Sequence, residues 1–96
     1  MQLTPAQRQH LKGLAHARHP VVIIGDKGLS PAVLKEAERA LAAHELIKIK
    51  AASSDKAQRE AWLQSLCESL GAAPVQHIGK ILVLYRAAEN PAILLP

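Results

Sequence analysis

Pro20-Val21-Val22-Ile23-Ile24, running into Gly25-Asp26-Lys27-Gly28 and then Ser30-Pro31, constrains this chain more than any other segment. Proline closes off a preceding helix, and four consecutive β-branched side chains keep their preferred rotamers in a strand but are crowded in a helix. A strand over 21–24, covered on both faces, is therefore expected. The glycines supply a turn, and Ser30 with Pro31 supplies a helix cap and a first-turn proline. A strand-turn-helix unit of this kind belongs to an α/β fold.

The remaining segments extend the same alternation. Thr4-Pro5-Ala6-Gln7 opens a first helix to about Ala17, with Thr4 as cap and Gln7 able to return a hydrogen bond. Leu11, Leu14 and Ala15 are its core candidates, while Arg8, Lys12 and His16 recur every four residues along another stripe. The second helix runs to about Ala43 with Val33, Leu34, Ala37, Ala40 and Leu41 inward and a mixed-charge outer face. Leu46-Ile47-Lys48-Ile49-Lys50-Ala51 alternates by two, which predicts a half-exposed strand with Lys48 and Lys50 on the open face. A third helix, capped by Asp55 or Ser54 and stopped by Gly71, turns Trp62, Leu63, Leu66, Cys67 and Leu70 inward. Strands at 75–78 and 81–86 flank Gly79-Lys80 as a hairpin, and 87–96 reads as an irregular tail.

The predicted order is α-β-α-β-α-β-β in one domain over 1–96: a four-stranded mixed sheet packed with three helices. Helical crossovers make the first three strands parallel and the last antiparallel. Placing the two most apolar strands centrally predicts the order 2-1-4-3.

Charge points to an anionic partner. Lys and Arg number 12 against 8 Asp and Glu, and no carboxylate precedes Asp26, so the N-terminal quarter is the positive part. The segment Met1-Gln2-Leu3-Thr4-Pro5 lacks the layout of a secretion signal, no apolar run approaches the roughly 18 residues of a membrane span, and Cys67 has no disulfide partner. A soluble, cytoplasmic protein without membrane partners is the expectation.

The loop Gly25-Asp26-Lys27-Gly28 is the leading candidate for ligand contact. Glycines let backbone approach a phosphate, Lys27 adds charge, and the helix start behind it offers free N–H groups. A turn also needs glycines for its dihedrals alone, and the loop fits neither G-x-x-x-x-G-K-[ST] nor G-x-G-x-x-G. Lys48, Lys50, Lys80 and Arg86 could extend the surface beyond the first helix. With Trp62 and Tyr85 the only aromatics, backbone and shape recognition is favoured over base stacking. No metal, cofactor or catalytic set is expected: His16-x-x-His19 lacks further ligands, and His44-Glu45 starts like a zinc-protease helix but has Lys48 where the second His belongs. Cys67, on an apolar face without basic neighbours, reads as core.

Four blocks then stand in one order: Leu11-Lys12-Gly13-Leu14-Ala15-His16; Pro20-Val21-Val22 with Gly25-Asp26-Lys27-Gly28-Leu29-Ser30; His44-Glu45-Leu46-Ile47-Lys48-Ile49-Lys50; and Val75-Gln76-His77-Ile78-Gly79 with Val83-Leu84-Tyr85-Arg86. Together they resemble the YhbY family, the bacterial single-domain form of the CRM (chloroplast RNA splicing and ribosome maturation) domain. The resemblance implies a fold similar to the C-terminal domain of translation initiation factor three. It also implies association with precursors of the large ribosomal subunit, and RNA contact by the G-x-x-G loop through its likeness to the KH-domain loop. Here the loop joins a strand to a helix, whereas the KH loop joins two helices, and Asp26 places a carboxylate inside it.

The expectation is thus a non-catalytic RNA-binding protein, its partner ribosomal RNA in large-subunit precursors, engaging Arg8, Lys12, Gly25, Asp26, Lys27, Gly28, Lys48, Lys50 and Arg86. The alternatives are an enzyme for a phosphate-bearing small molecule, which needs convergent acid-base groups in a pocket, and a protein-interaction adaptor.

Overall fold

Each helix begins where a polar side chain satisfies amides that the first turn leaves free. In the computed structural model, which describes residues 2–96, α1 (Pro5–His16) starts from a capping box. Gln7 N donates to Thr4 Oγ1 at 3.1 Å, and Thr4 N donates to Gln7 Oε1 at 3.0 Å. Ser30 Oγ accepts from Val33 N at the head of α2 (Pro31–His44). Asp55, not Ser54, caps α3 (Lys56–Leu70) through Oδ1, which accepts from Ala57 N and Gln58 N; Gly71 ends it in the left-handed conformation at φ 64°.

The strands are β1 (Pro20–Ile24), β2 (Leu46–Ala51), β3 (Ala73–Ile78) and β4 (Ile81–Tyr85). The sheet order is β1-β2-β4-β3, with β1 parallel to β2 and β4 antiparallel to both of its neighbours. The directions agree with the expectation and the order does not. β1 is an edge strand, because only Val22 and Ile24 face a core while Val21 and Ile23 stay 53% and 61% exposed. A continuous β-branched run does not by itself require cover on both faces. β2 takes the central place beside β4, whose Leu82, Val83, Leu84 and Tyr85 are all buried.

One sheet face packs on α2 and α3: Val22, Ile24, Ile47, Ile49, Leu82 and Leu84 meet Ala37, Leu41, Leu63, Leu66 and Cys67. The opposite face packs on α1, where Leu46, Val75, Val83 and Tyr85 meet Leu3, Leu11 and Ala15. Leu14, expected in this core, is 38% exposed. Because α1 lies over β2 and β3, the β1 side of that face is left open.

The segment 87–96 has neither helix nor strand, yet it is fixed. Ile93 and Leu95 pack on the α1 core. Glu45 terminates α2 at φ 63°, ψ −45°, a costly conformation for a residue with a Cβ. Its carboxylate, only 4% exposed with the rest of the residue, accepts from Ala88 N at 2.9 Å, Ala92 N at 2.9 Å and Ile93 N at 3.1 Å. Those amides, led by that of Ala88, hold its pKa below the usual glutamate range. Such a group contributes stability above its unfolded pKa of about 4.3 and loses it as pH falls through the lower folded value. Glu45→Gln is expected to cost about 1–3 kcal/mol in urea unfolding at pH 7 and to flatten the loss of stability on acidification. Identical acid profiles for both proteins would contradict this role.

Candidate nucleic-acid interface

The last residues of β2 gather three connections at one end of the sheet. Ala52 N donates to Ile24 O at 2.9 Å, and Ala51 N donates to Lys80 O at 2.7 Å. The 25–28 loop, the 52–55 connection and the Gly79-Lys80 turn are thereby neighbours.

Within the loop, Gly28 N donates to Gly25 O at 3.0 Å and Ser30 N to Gly28 O at 2.9 Å. Gly28 has φ 63°, where a side chain is strained. The turn therefore uses the N–H groups of Gly28 and Ser30, and of the helix-start amides expected to face an anion, that of Val33 is taken by the Ser30 cap. What the loop still offers is the exposed Lys27 ammonium and the amides of Asp26 and Lys27, which none of these bonds uses. Asp26 is exposed at the tip beside Lys27.

Behind the loop lies a cleft of about 630 Å³, closed on its far side by Ala52, Ser53, Ser54, Gln58 and Trp62. Arg59, whose role the sequence reading missed, stiffens that wall from beneath. It is buried, with Nη1 donating to Ser53 O at 2.7 Å and Nε to His77 Nε2 at 3.3 Å. Since His77 Nε2 accepts, its Nδ1 carries the proton donated to Glu60 Oε2 at 2.7 Å, and this bond lowers the Glu60 pKa. Arg59 precedes Leu63 by four residues and Leu66 by seven, so helical spacing could have marked it as inward-facing.

Lys48 and Lys50 lie on the partly open sheet face, Lys50 in register with Ile23 and Ile81. Lys12 and His16 of α1 face Lys48 across a groove of about 510 Å³ whose lining contains no carboxylate. Arg8, one turn earlier, leans towards β3, with Nε 3.5 Å from Pro74 O. Arg86 is at the other end of the sheet, where it donates to Leu70 O at 2.9 Å and pairs with Glu38. The structure thus puts Lys50 at the loop's end of the sheet, pairs Lys12 with Lys48 in the α1-side groove, and leaves Arg86 apart.

A second cavity of about 510 Å³ at that far end is lined by Arg18, His19, His44, Glu45 and Ile93 among others. Its arginine is engaged, with Arg18 Nη1 donating to Leu46 O at 2.6 Å and His44 O at 3.2 Å. Among the described residues no cluster of His, Cys, Asp or Glu has the geometry of a metal site. Burial pushes the Cys67 thiol up to about 11, so it stays protonated at neutral pH.

Residues 3–86 match the CRS1/YhbY (CRM) domain. The chain is 48% identical over 94 residues to an RNA-binding protein of Haemophilus influenzae, a match covering 98% of this chain and 95% of that one. It is 42% identical over 91 residues to a protein of Pseudomonas aeruginosa named a probable RNA-binding protein, covering 95% and 88% of the two chains. The solution structure of a hypothetical protein of Staphylococcus aureus superposes with a TM-score of 0.88 at 32% identity, covering 99% of this chain and all of that one.

Arg59 gives the wall of the cleft a direct test. Arg59→Met keeps the stem but leaves Ser53 O without its donor, and should cost about 1–3 kcal/mol in urea unfolding. Amide exchange at residues 53–55 should accelerate more than elsewhere. Unchanged exchange there would mean that Arg59 does not hold this wall.

Proposed function

The chain belongs to the CRS1/YhbY (CRM) domain family, and from that premise we propose that it is a non-catalytic RNA-binding protein engaging RNA with the 25–28 loop and the adjoining lysine face. Its ligand on this reading is ribosomal RNA in precursors of the large subunit, met in the cytoplasm, where it assists maturation. The resemblance to YhbY supports the ribosomal part.

One observation carries the reading. Lys27 and Lys50 stand at the same end of the sheet, and on the α1 face the groove bearing Lys12 and Lys48 reaches Ile81, the register partner of Lys50. Lysines spread over a loop, a strand and a helix suit a backbone of repeated phosphates better than one small anion. Arg8, Lys12, Lys27, Lys48 and Lys50 are the phosphate contacts, with Gly25, Asp26 and Gly28 shaping the loop. Arg86 serves the fold through Leu70 and Glu38.

Five phosphate contacts give an expected log–log salt slope of about −4 for RNA affinity. Lys27→Glu should weaken binding by about 1–3 kcal/mol. Lys35→Glu, the same charge reversal on the exposed side of α2, should do much less. Equal losses from the two, with unchanged melting, would reduce the effect to net charge and remove the loop from the interface.

A further inference from the structure

Trp62 is the one tryptophan of the chain, and it is not sealed in the core. It is half-buried: it packs against the α2–α3 core and also lines the cleft behind the 25–28 loop. A Cβ at Gly28 would stand 3.6 Å from its Cζ2 and 3.8 Å from its Nε1, so the bare glycine lies directly on the indole. Glycine at 28 therefore serves two ends: it holds φ 63°, and it lets the turn rest against one part of the indole with no side chain between them, while the ring also lines the cleft.

The rest of the cleft is rich in hydrogen-bonding groups. Gln58 Oε1 accepts from Ser53 Oγ at 2.7 Å, which leaves the Gln58 amide nitrogen available as a donor at the cleft. Ser54 is exposed beside it, and Lys27 is exposed on the opposite lip. One planar apolar surface, hydrogen-bonding side chains and one cation within about 630 Å³, with the Asp26 carboxylate at the exposed tip, match the parts of a nucleotide: base, base edge and phosphate.

Resting on the reading that RNA is bound at this loop, we propose that the cleft is a pocket for one unstacked nucleotide of single-stranded RNA. Its base lies against the Trp62 indole, its edge meets Gln58 and Ser54, and its phosphate meets Lys27. A duplex cannot fill the pocket, because its base faces are stacked on one another; it can reach only the lysines. The other aromatic, Tyr85, is buried under α1 and takes no part.

As the sole tryptophan, Trp62 reports on its own contact. The intact protein is titrated with decameric single-stranded RNA, with a duplex of equal length, and with 5′-AMP, following indole fluorescence and, for the RNAs, anisotropy. Single strands should quench saturably; the duplex should bind without quenching; 5′-AMP should give no saturable quenching at the same concentrations. Trp62→Leu, which keeps an apolar contact with the core but removes the ring, should lower single-strand affinity about 5- to 30-fold. Duplex affinity should be unchanged, and Trp62→Phe should recover part of the loss. Native single-strand affinity in Trp62→Leu, with Lys27→Glu still impaired, would overturn the pocket and leave the loop as an RNA site. If Lys27→Glu also bound normally, both would fall. Quenching by 5′-AMP as tight as by the decamer would make the occupant a free nucleotide and overturn the RNA assignment. Should Trp62→Leu fail to fold, the quenching arm decides: saturable quenching by single strands supports the pocket, and its absence removes it.

Discussion

Strand β2 is hydrogen-bonded along both edges, parallel to β1 and antiparallel to β4, and the position of nearly every other element follows from this. A strand so held must present one row of side chains to each face. Ile47, Ile49 and Ala51 go under α2 and α3, and Lys48 and Lys50 onto the face that α1 only partly covers. At its end the same pairing carries Ile24 O to Ala52 N and Lys80 O to Ala51 N, so loops distant in sequence meet there. The candidate site is thus a product of strand pairing more than of any single motif.

The cationic side chains divide by type. Three arginines, Arg18, Arg59 and Arg86, each donate to a backbone carbonyl: those of Leu46, Ser53 and Leu70. A guanidinium has several donors in a fixed plane and suits such cross-links between elements. No lysine takes part in an ion pair among the described residues, and Lys27, Lys50 and Lys80 are exposed. A flexible ammonium meets a phosphate from many directions, which fits binding that tracks a backbone.

Much of this was legible in the sequence because it is local. Thr4 with Gln7, Ser30 with Pro31, and Gly71 mark helix boundaries through bonds that span a few residues. The two-residue period of Leu46 to Ala51 placed Lys48 and Lys50 correctly on the open face. Strand order is not legible in the sequence, because it depends on which faces helices cover, and exposed Val21 and Ile23 look the same in sequence as buried ones. Glu45 was invisible for a similar reason: its partners are Ala88, Ala92 and Ile93, whose amides any residue but proline could supply. Helical spacing points Trp62 at the core, but spacing does not reveal that its ring also lines a cleft beside a glycine turn.

On the proposed reading, RNA engages the end of the sheet where the 25–28 loop, the 52–55 connection and Lys50 meet. Backbone amide shifts recorded by NMR during titration with single-stranded RNA locate the contact. The largest changes should fall at residues 25–28, 52–55 and 58, with smaller ones at Lys12, Lys48 and Lys50, while Glu38, Leu70 and Arg86 stay still. Changes concentrated instead around Arg18, His44 and the 88–93 tail would place the RNA at the opposite end and contradict the account.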